Sequence, residues 1–347
     1  MIETAPPALP ACRHPDDGWR ADLPRWRQLV PAHGLRALLA GRAGHAAAPS
    51  GDWRLFEVGE GPWASAGVQT IPGAAWLDVQ RFEAGPLWNK VADDVLLRRL
   101  AALGIRHDTT VVLAGHKLVA NARMAHLLLY AGVRDVRLLD GGTAAWARAG
   151  GPLTRNAPEV PVPVTDFGPD RPTHPHHLVD TAQVRTMLER PGVTLASIRT
   201  WSEFAGQTSG YDYIAARGEI AGARWGHAGA DGDVNDMRWF HTPAGQMSGA
   251  AEITALWRSQ GIEATHQVVF YCGTGWRASL AFFYAWLMGW EHISVYDGGW
   301  LEWSSDPRNP TINRQQQMAI TDAPRPEGMD RPPLALGPMH NPGVLCP

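Results

Sequence analysis

The feature that most constrains the fold is an internal repeat with a constant spacing of 157 residues. The blocks that recur are a Gly-Ile pair, a Val-Val pair, a glycine and an Asp-Gly-Gly-x-x-x-Trp segment, which begin at Gly104 and Gly261, Val111 and Val268, Gly132 and Gly289, and Asp140 and Asp297. One register without a gap over about forty residues is hard to reach by chance. An Ile-x-Gly-Ala-x-Trp turn also recurs, at Ile71 and Ile220. We therefore predict a duplicated domain.

Each copy alternates short apolar strands with helical patterns. In the first copy we expect helices over 26–39, 94–103 and 121–131, and strands over 54–58, 76–79, 110–114 and 136–139. This alternation predicts an α/β fold, with a central, mainly parallel sheet flanked by helices in each domain. The length of 347 residues suits two such domains. The predicted organisation is a first domain over 22–156, a Pro-rich linker over 157–178, a second domain over 179–306 and a Pro-rich tail over 307–347.

The second copy contains a strand, a short glycine-bearing loop and a long apolar run, and its central sequence from Val268 is VVFYCGTGWRA. We expect a buried strand up to Tyr271 and a helix over 279–290. A loop of this kind presents backbone N–H groups to an anion at the start of a helix. Cys272 is therefore favoured as a thiolate by the helix dipole and by the nearby Arg277. A free cysteine is often only a core residue, but the glycines and the arginine indicate a reactive one.

The first copy lacks both of these reactive groups. At the spacing of 157 residues, Gly115 aligns with Cys272 and Ala120 aligns with Arg277. The first domain therefore keeps the scaffold without the thiol and its cation. We expect it to be catalytically inactive and to act as a structural partner of the second domain.

The composition argues against several classes of partner. The net charge of −3 gives no sign of a nucleic-acid partner or of an anionic membrane surface, and the apolar run near 280–290 is too short to span a bilayer. Of the three cysteines, Cys12 and Cys346 lie near the termini without glycine-rich or basic surroundings. No disulfide framework is indicated, which suits a reducing compartment. With no recognisable secretory signal, this predicts a cytoplasmic protein.

The pattern resembles the rhodanese (sulfurtransferase) superfamily in its tandem two-domain form. The resemblance covers roughly residues 22–310 and rests on the Cys-x-x-Gly-x-Arg loop at Cys272, on the Ile-x-Gly-Ala turns and on the Asp-Gly-Gly-x-x-x-Trp ends of both copies. It implies two rhodanese-like α/β domains. It also implies that the second domain carries a sulfane sulfur on its cysteine as a persulfide and passes it to an acceptor.

The loop has a physical reason of its own. A persulfide places its negative charge one atom beyond the thiolate, so it needs donors around that outer sulfur. The backbone amides that can supply them, and so bind the transferred sulfur, belong to Gly273, Thr274, Gly275 and Trp276. Arg277 would anchor the loop or meet an anionic substrate. The resemblance further implies that Arg199 binds the anionic end of the donor, and that no cofactor or metal is needed.

Several alternatives stay open. Cys-based phosphatases place five residues between the cysteine and the arginine, whereas four intervene here, so a phosphatase or an arsenate reductase is a distant alternative. We favour thiosulfate as the small anionic donor and cyanide or a thiol as the acceptor. A 3-mercaptopyruvate sulfurtransferase is the alternative, although Trp88 stands near the place of an expected His, while Asp78 can fill the place of an Asp. The persulfide could also pass to a protein partner in a sulfur relay, and the chain could instead be a non-enzymatic scaffold.

Overall fold

The computed structural model describes residues 18–44 and 47–315, which form two α/β units. Cys12, Cys346 and most of the predicted tail lie outside the described residues. Two five-stranded sheets form the centres of the two units, and every strand pair within them is parallel. The predicted α/β fold with two parallel sheets is confirmed.

The first unit has the sheet order β1-β7-β6-β2-β3. Its strands, with the antiparallel hairpin β4–β5, are β1 Leu29–Val30, β2 Trp53–Gly59, β3 Ala75–Asp78, β4 Glu83–Ala84, β5 Asn89–Lys90, β6 Thr110–Ala114 and β7 Asp135–Leu139. Its helices are α1 Ala32–Leu39, α2 Trp63–Ala66, α3 Asp93–Ala102, α4 Leu118–Ala131 and α5 Gly142–Arg148, with 3₁₀ turns at Trp26–Gln28 and Val79–Phe82.

The second unit has the sheet order β11-β9-β12-β13-β8. Its strands are β8 Leu178–Val179, β9 Val193–Ser197, β10 Glu219–Ile220, β11 Arg224–Trp225, β12 Gln267–Tyr271, β13 Ile293–Tyr296 and β14 Thr311–Ile312. Its helices are α6 Thr181–Met187, α7 Trp201–Ala205, α8 Ala250–Arg258, α9 Trp276–Leu287 and α10 Gly299–Ser305, with 3₁₀ turns at Pro175–His177 and Arg238–Phe240. Read from the opposite edge, this order matches that of the first sheet, as a duplication requires.

The two units meet along α4 and α9, which occupy equivalent places in the two copies. Nearly every residue of both helices is buried, because each helix packs on its own sheet and on the other helix, and a helix that is apolar on all sides needs such double cover. Their side chains belong to one apolar core that includes residues of both units. Polar contacts also cross the boundary: Asn89 Nδ2 donates to Glu302 at 2.7 Å and Met247 N donates to Asp140 at 2.8 Å.

Two expectations about helices are corrected. The helix expected over 26–39 is broken into a 3₁₀ turn, β1 and α1, because Pro31 precedes α1 and lacks the N–H that a continuous helix would need. The helix expected over 279–290 begins earlier, at Trp276, and ends at Leu287. Gly275 stands at its N-cap with φ of +95°, a conformation that suits glycine, so the glycine and not the apolar run sets the helix start.

The Pro-rich segment between the units is docked on the first unit. Phe167 is buried, His107 N donates to its carbonyl at 3.0 Å, and Val164 N donates to Ala101 O at 2.9 Å. The segment predicted as linker ends in a 3₁₀ turn and in Leu178, the first residue of β8. Early in the predicted tail, β14 pairs antiparallel with β10.

Across residues 18–44 and 47–315, none of the helices combines the length and the apolar character that crossing a bilayer would take.

Candidate active site

The loop after β12 is fixed by the start of α10. Trp300 N donates to the carbonyl of Cys272 at 2.8 Å, and Leu301 N donates to the carbonyl of Gly273 at 3.1 Å. Gly299, with φ of +55°, allows this approach, because a Cβ there would lie 2.5 Å from Gly273 O and 2.7 Å from Cys272 O. Two loop carbonyls are thereby held against α10.

The sulfur of Cys272 lies at the start of α9. Gly275 N donates to Cys272 Sγ at 3.2 Å, and the cysteine is 1% exposed. A Cβ on Gly273 would collide with the ring of Tyr211, so only glycine fits under that ring. An amide donor and the positive end of the α9 dipole both favour negative charge on the sulfur. The loop can therefore stabilise a thiolate or a persulfide.

Arg277 is buried beneath the loop and paired with a carboxylate. Its Nη1 and Nη2 donate to the two oxygens of Glu203 at 2.8 and 2.9 Å, and its Nη2 also donates to Tyr211 Oη at 2.8 Å. This fork-on-fork geometry ties the first turn of α9 to α7. The structure thus places Arg277 as an anchor of the loop, and the positive charge is balanced by Glu203.

Arg199 lies in the same buried ion cluster and is fully buried. Its guanidinium donates to Gly218 O at 2.7 Å and contacts Glu203 and Glu219, each at 3.4 Å. Arg199 does not line the cleft described below. The contact with the donor stays a prediction, and in this geometry the arginine faces protein carboxylates.

Glu203 holds this cluster together. Burial favours the protonated form of its carboxyl, but the nearby Arg277 and then Arg199 outweigh burial and lower the pKa of Glu203 to about 2. The carboxylate is therefore charged at neutral pH. It also caps its own helix, since Thr200 N donates to Glu203 Oε2 at 2.9 Å in a capping box.

A cleft of about 220 Å³ opens over the loop between the two units. Thr274, Trp276 and Arg277 line it from the loop and α9, and the other lining residues include Glu60, Glu83, Trp88, Tyr211 and Tyr213. Trp276 joins the units, because its Nε1 donates to Glu83 Oε1 at 2.8 Å. The structure thus brings the predicted loop residues together with side chains of the first unit.

Asp78 lies away from this cleft. Its carboxylate caps the 3₁₀ turn Val79–Phe82 and accepts from Gly61 N at 2.9 Å and from Gln80 N at 3.1 Å. Trp88, which the sequence places near the position of the expected His, does line the cleft. Among the described residues that line the cleft there is no histidine, so this lining does not supply a relay of a hydroxyl, His and Asp.

The corresponding loop of the first unit has the same backbone support without a thiol. Thr143 N donates to Gly115 O at 3.1 Å, as Trp300 N does to Cys272 O, and a Cβ on Gly142 would collide with that carbonyl. Catalytic inactivity of this unit stays a prediction, but the shared support explains why both copies keep Asp-Gly-Gly.

Sequence reasoning missed the carboxylates of the site. Glu203 had a visible signal as the last residue of the Thr-x-x-Glu pattern at Thr200, but this pattern identifies a helix cap and not a partner for Arg277. Glu83 had none, because it belongs to the other copy and follows a 3₁₀ turn. Among residues 18–44 and 47–315, no group of three or more His, Cys, Asp and Glu side chains could hold a metal ion.

Comparison with known proteins agrees with this architecture. The rhodanese-like domain family matches residues 52–149 and 180–306. Thiosulfate sulfurtransferase YnjE of Escherichia coli is 51% identical over 294 residues, which cover 85% of this chain and 67% of the relative. The crystal structure of YnjE superimposes with a TM-score of 0.80 at 50% identity and covers 84% of this chain and 69% of that one.

Two further relatives widen the range of named activities. A probable 3-mercaptopyruvate sulfurtransferase of Pseudomonas aeruginosa is 33% identical over 69% of this chain and 83% of its own length. An anaerobic ergothioneine biosynthesis enzyme from Chlorobium limicola, solved with its natural substrate trimethyl histidine, has a TM-score of 0.78 at 34% identity and covers 83% of this chain and 71% of that one. With two matched domains and the loop at Cys272 in the second, the chain belongs to the rhodanese-like family.

Proposed function

We propose that this chain is a thiosulfate-type sulfurtransferase that carries a sulfane sulfur on Cys272. The observation that carries the proposal is the amide of Gly275 on Cys272 Sγ at the start of α9, in a loop that opens to the cleft. A thiolate there attacks the outer sulfur of thiosulfate, forms a persulfide and releases sulfite. The identity to YnjE supports thiosulfate as the donor.

The second half of the cycle passes the sulfur on. A cyanide anion or a thiol attacks the outer sulfur, the bond between that sulfur and Cys272 Sγ breaks, and the thiolate returns. The amides of Gly273, Thr274, Gly275 and Trp276 stabilise the charge on the outer sulfur, while Arg277 holds the loop to α7. Because the donor leaves before the acceptor enters, ping-pong kinetics are expected. A cytoplasmic, reducing location keeps the thiol of Cys272 available.

The aromatic walls of the cleft favour a second candidate acceptor. Trp88, Trp276 and Tyr213 line it together with the carboxylates of Glu60 and Glu83. Aromatic faces and carboxylates attract cations, and the Chlorobium limicola enzyme binds trimethyl histidine. A cationic aromatic acceptor of this kind is therefore a second candidate, beside the alternatives of 3-mercaptopyruvate as donor and a protein as acceptor.

The test is thiocyanate production from thiosulfate and cyanide. We expect turnover by the unaltered chain, a gain of one sulfur in its intact mass after thiosulfate, and a loss of roughly 10³-fold or more in Cys272→Ser. Cys12→Ser, which removes a thiol elsewhere in the chain, is the control for loss of a cysteine. Turnover that survives in Cys272→Ser would refute the proposed role of the thiol.

A further inference from the structure

The proposed reaction needs a proton when the acceptor is a thiol. Cyanide attacks as its anion and leaves as thiocyanate, which stays an anion, so no proton has to be delivered to the product. A thiol enters as R–SH, attacks as R–S⁻, and leaves as R–S–SH once the outer sulfur has separated from Cys272. One proton must therefore leave the attacking sulfur and one must reach the transferred sulfur. A group in the cleft that can take and return a proton would serve both steps.

Few of the groups that line the cleft can exchange a proton near neutral pH. Burial raises the pKa of Tyr211 and of Tyr213, so both stay protonated. Arg277 is paired with Glu203, and its own pKa is raised well above the usual range. Glu60 forms an ion pair with Lys117. Glu83 therefore remains as the candidate for proton exchange in the cleft, because its surroundings differ from those of Glu60.

Glu83 shares one cation with another buried carboxylate. Arg123 on α4 is fully buried, and it lies 3.0 Å from Glu83 Oε1 through Nε and 2.6 Å from Asp297 Oδ1 through Nη2. Two carboxylates and one guanidinium leave one uncompensated negative charge if neither acid is protonated. Because charge without a partner is costly in a buried place, one proton on this group is favoured.

The proton has a reason to reside on Glu83. Burial raises its pKa to about 7 against the opposing effects of Arg123 and Trp276, and Asp297 adds to the rise. Both of its described bonds, from Trp276 Nε1 at 2.8 Å and from Arg123 Nε at 3.0 Å, end on Oε1. Within the described chain Oε2 has no protein hydrogen-bond partner, and Glu83 lines the cleft whereas Asp297 does not.

The position of Glu83 also connects it to the sulfur loop. Trp276, whose indole it accepts, follows directly after Gly275, the donor to Cys272 Sγ. Arg123 lies against the same turn, since a Cβ on Gly275 would be 3.3 Å from its Nη1. The charged or titratable groups around Glu83 thus come from α4 (Arg123), from the turn before α10 (Asp297) and from the segment after α7 (Tyr213).

We propose that Glu83, supplied by the first unit, is the proton-transfer residue for thiol acceptors at the sulfur site of the second unit. Its carboxylate takes the proton of R–SH and becomes the acid, while R–S⁻ attacks the outer sulfur of the Cys272 persulfide. The bond between Cys272 Sγ and the outer sulfur breaks, and its electron pair stays on Sγ. The acid then returns the proton to the transferred sulfur, so the products are R–S–SH, the Cys272 thiolate and the Glu83 carboxylate. This role rests on the proposed function.

The test compares two acceptors on the full chain loaded with thiosulfate. In Glu83→Gln we expect the ratio of turnover with dithiothreitol to turnover with cyanide to fall about 10²-fold, and the ionisation near pH 7 to disappear from the thiol profile. Asp94→Asn removes an exposed carboxylate on α3 that does not line the cleft and is the control, in which the ratio should hold. A residue with only a structural role would lower both rates together and leave the pH profile unchanged.

Each result decides the proposal. An unchanged ratio and pH profile in Glu83→Gln would overturn the role of Glu83, while sulfur uptake seen by intact mass would leave the proposed function standing. If Glu83→Gln fails to fold, Glu83→Asp keeps the carboxyl group, and a thiol profile whose midpoint does not move would overturn the role. A wild-type chain that gains no sulfur from thiosulfate would refute the proposed function itself, and with it this step.

Discussion

At the scale of single residues, the main feature of the site is a loop that a buried arginine anchors. The arginine is not an exposed cation. The sequence motif led to Cys272 and to Arg277 as a loop anchor or an anion partner, but it did not identify what Arg277 binds. The structure adds Glu203, which accepts from both arms of that guanidinium and also contacts Arg199. Because Glu203 fixes the guanidinium, Arg277 holds the loop in place, and the amide of Gly275 can donate to the sulfur of Cys272. The carboxylate could not be inferred from spacing, because 74 residues separate it from Arg277.

The buried ion cluster predicts a large effect of removing its carboxylate. Glu203→Ala would leave Arg277 and Arg199 short of an opposite charge in a dry interior, so we expect the free energy of unfolding at pH 7 to fall by about 3–5 kcal/mol. Urea unfolding measures it. Asp94→Asn, which breaks the exposed pair with Arg98, is the control and should leave the midpoint unchanged. Equal effects of the two substitutions would contradict this account of the loop.

The same carboxylate predicts a pH dependence. The pKa of Glu203 is lowered from its ordinary value of 4.5 to about 2 in the folded protein. The folded state therefore holds the proton more weakly than the unfolded chain does. Its contribution, about 3 kcal/mol, is complete above pH 4.5 and is lost as the pH falls toward 2. The acid limb of stability should flatten in Glu203→Ala, and an unaltered limb would count against this pKa.

At the scale of elements, one device supports the loop in each copy. The start of α10 holds the loop after β12, and the start of α5 holds the loop after β6, each through a glycine with positive φ, Gly299 and Gly142. The repeat could be detected from sequence, as could the strands and the glycines. The start of α9 could not be placed correctly, because the apolar run suggested position 279 and the cap at Gly275 is a matter of backbone conformation.

This duplication provides a matched pair of substitutions. Gly299→Ala and Gly142→Ala both force an alanine into a left-handed conformation and against a loop carbonyl, so each should lower the free energy of unfolding by at least about 1–3 kcal/mol. Only Gly299→Ala displaces the loop of Cys272. We expect its sulfur uptake from thiosulfate, measured by intact mass over time, to slow at least about tenfold, with Gly142→Ala near the wild-type rate. Equal slowing in both variants would mean that general destabilisation, not the loop, is responsible.

At the scale of the whole molecule, the two units share one core and one site. The apolar character of α4 and α9 indicates that each helix is buried on all sides. It does not reveal that the two helices pack against each other. For this reason the sequence predicted the two sheets, whereas the cleft between the units and the contribution of Glu83 required the assembled fold. The contact also contains two buried histidines, His126 and His177, whose rings lie 4.8 and 5.0 Å from Phe282 of α9.

These histidines predict that the contact between the units weakens in mild acid. Burial lowers the pKa of each to about 3, so the folded protein resists a proton that the unfolded chain accepts near 6.5. The contribution of each histidine is therefore complete above pH 6.5 and falls by about 1.4 kcal/mol per pH unit below it. Urea unfolding from pH 7 to 5 measures the slope, which His126→Gln should reduce by the share of one histidine, about 1.4 kcal/mol per pH unit. The exposed His292→Gln is the control, and an equal slope in all three proteins would contradict the assignment.

The hairpin β4–β5 carries a consequence for how such a chain can diversify. It lies in the copy that has no cysteine, yet Glu83 within it faces the sulfur loop of the other copy. If Glu83 transfers the proton as proposed, substitutions in this hairpin would alter which thiols receive sulfur while Cys272 and its loop are left intact. The copy without the thiol can in this way vary the acceptor side of the cleft while the cysteine stays in the other copy.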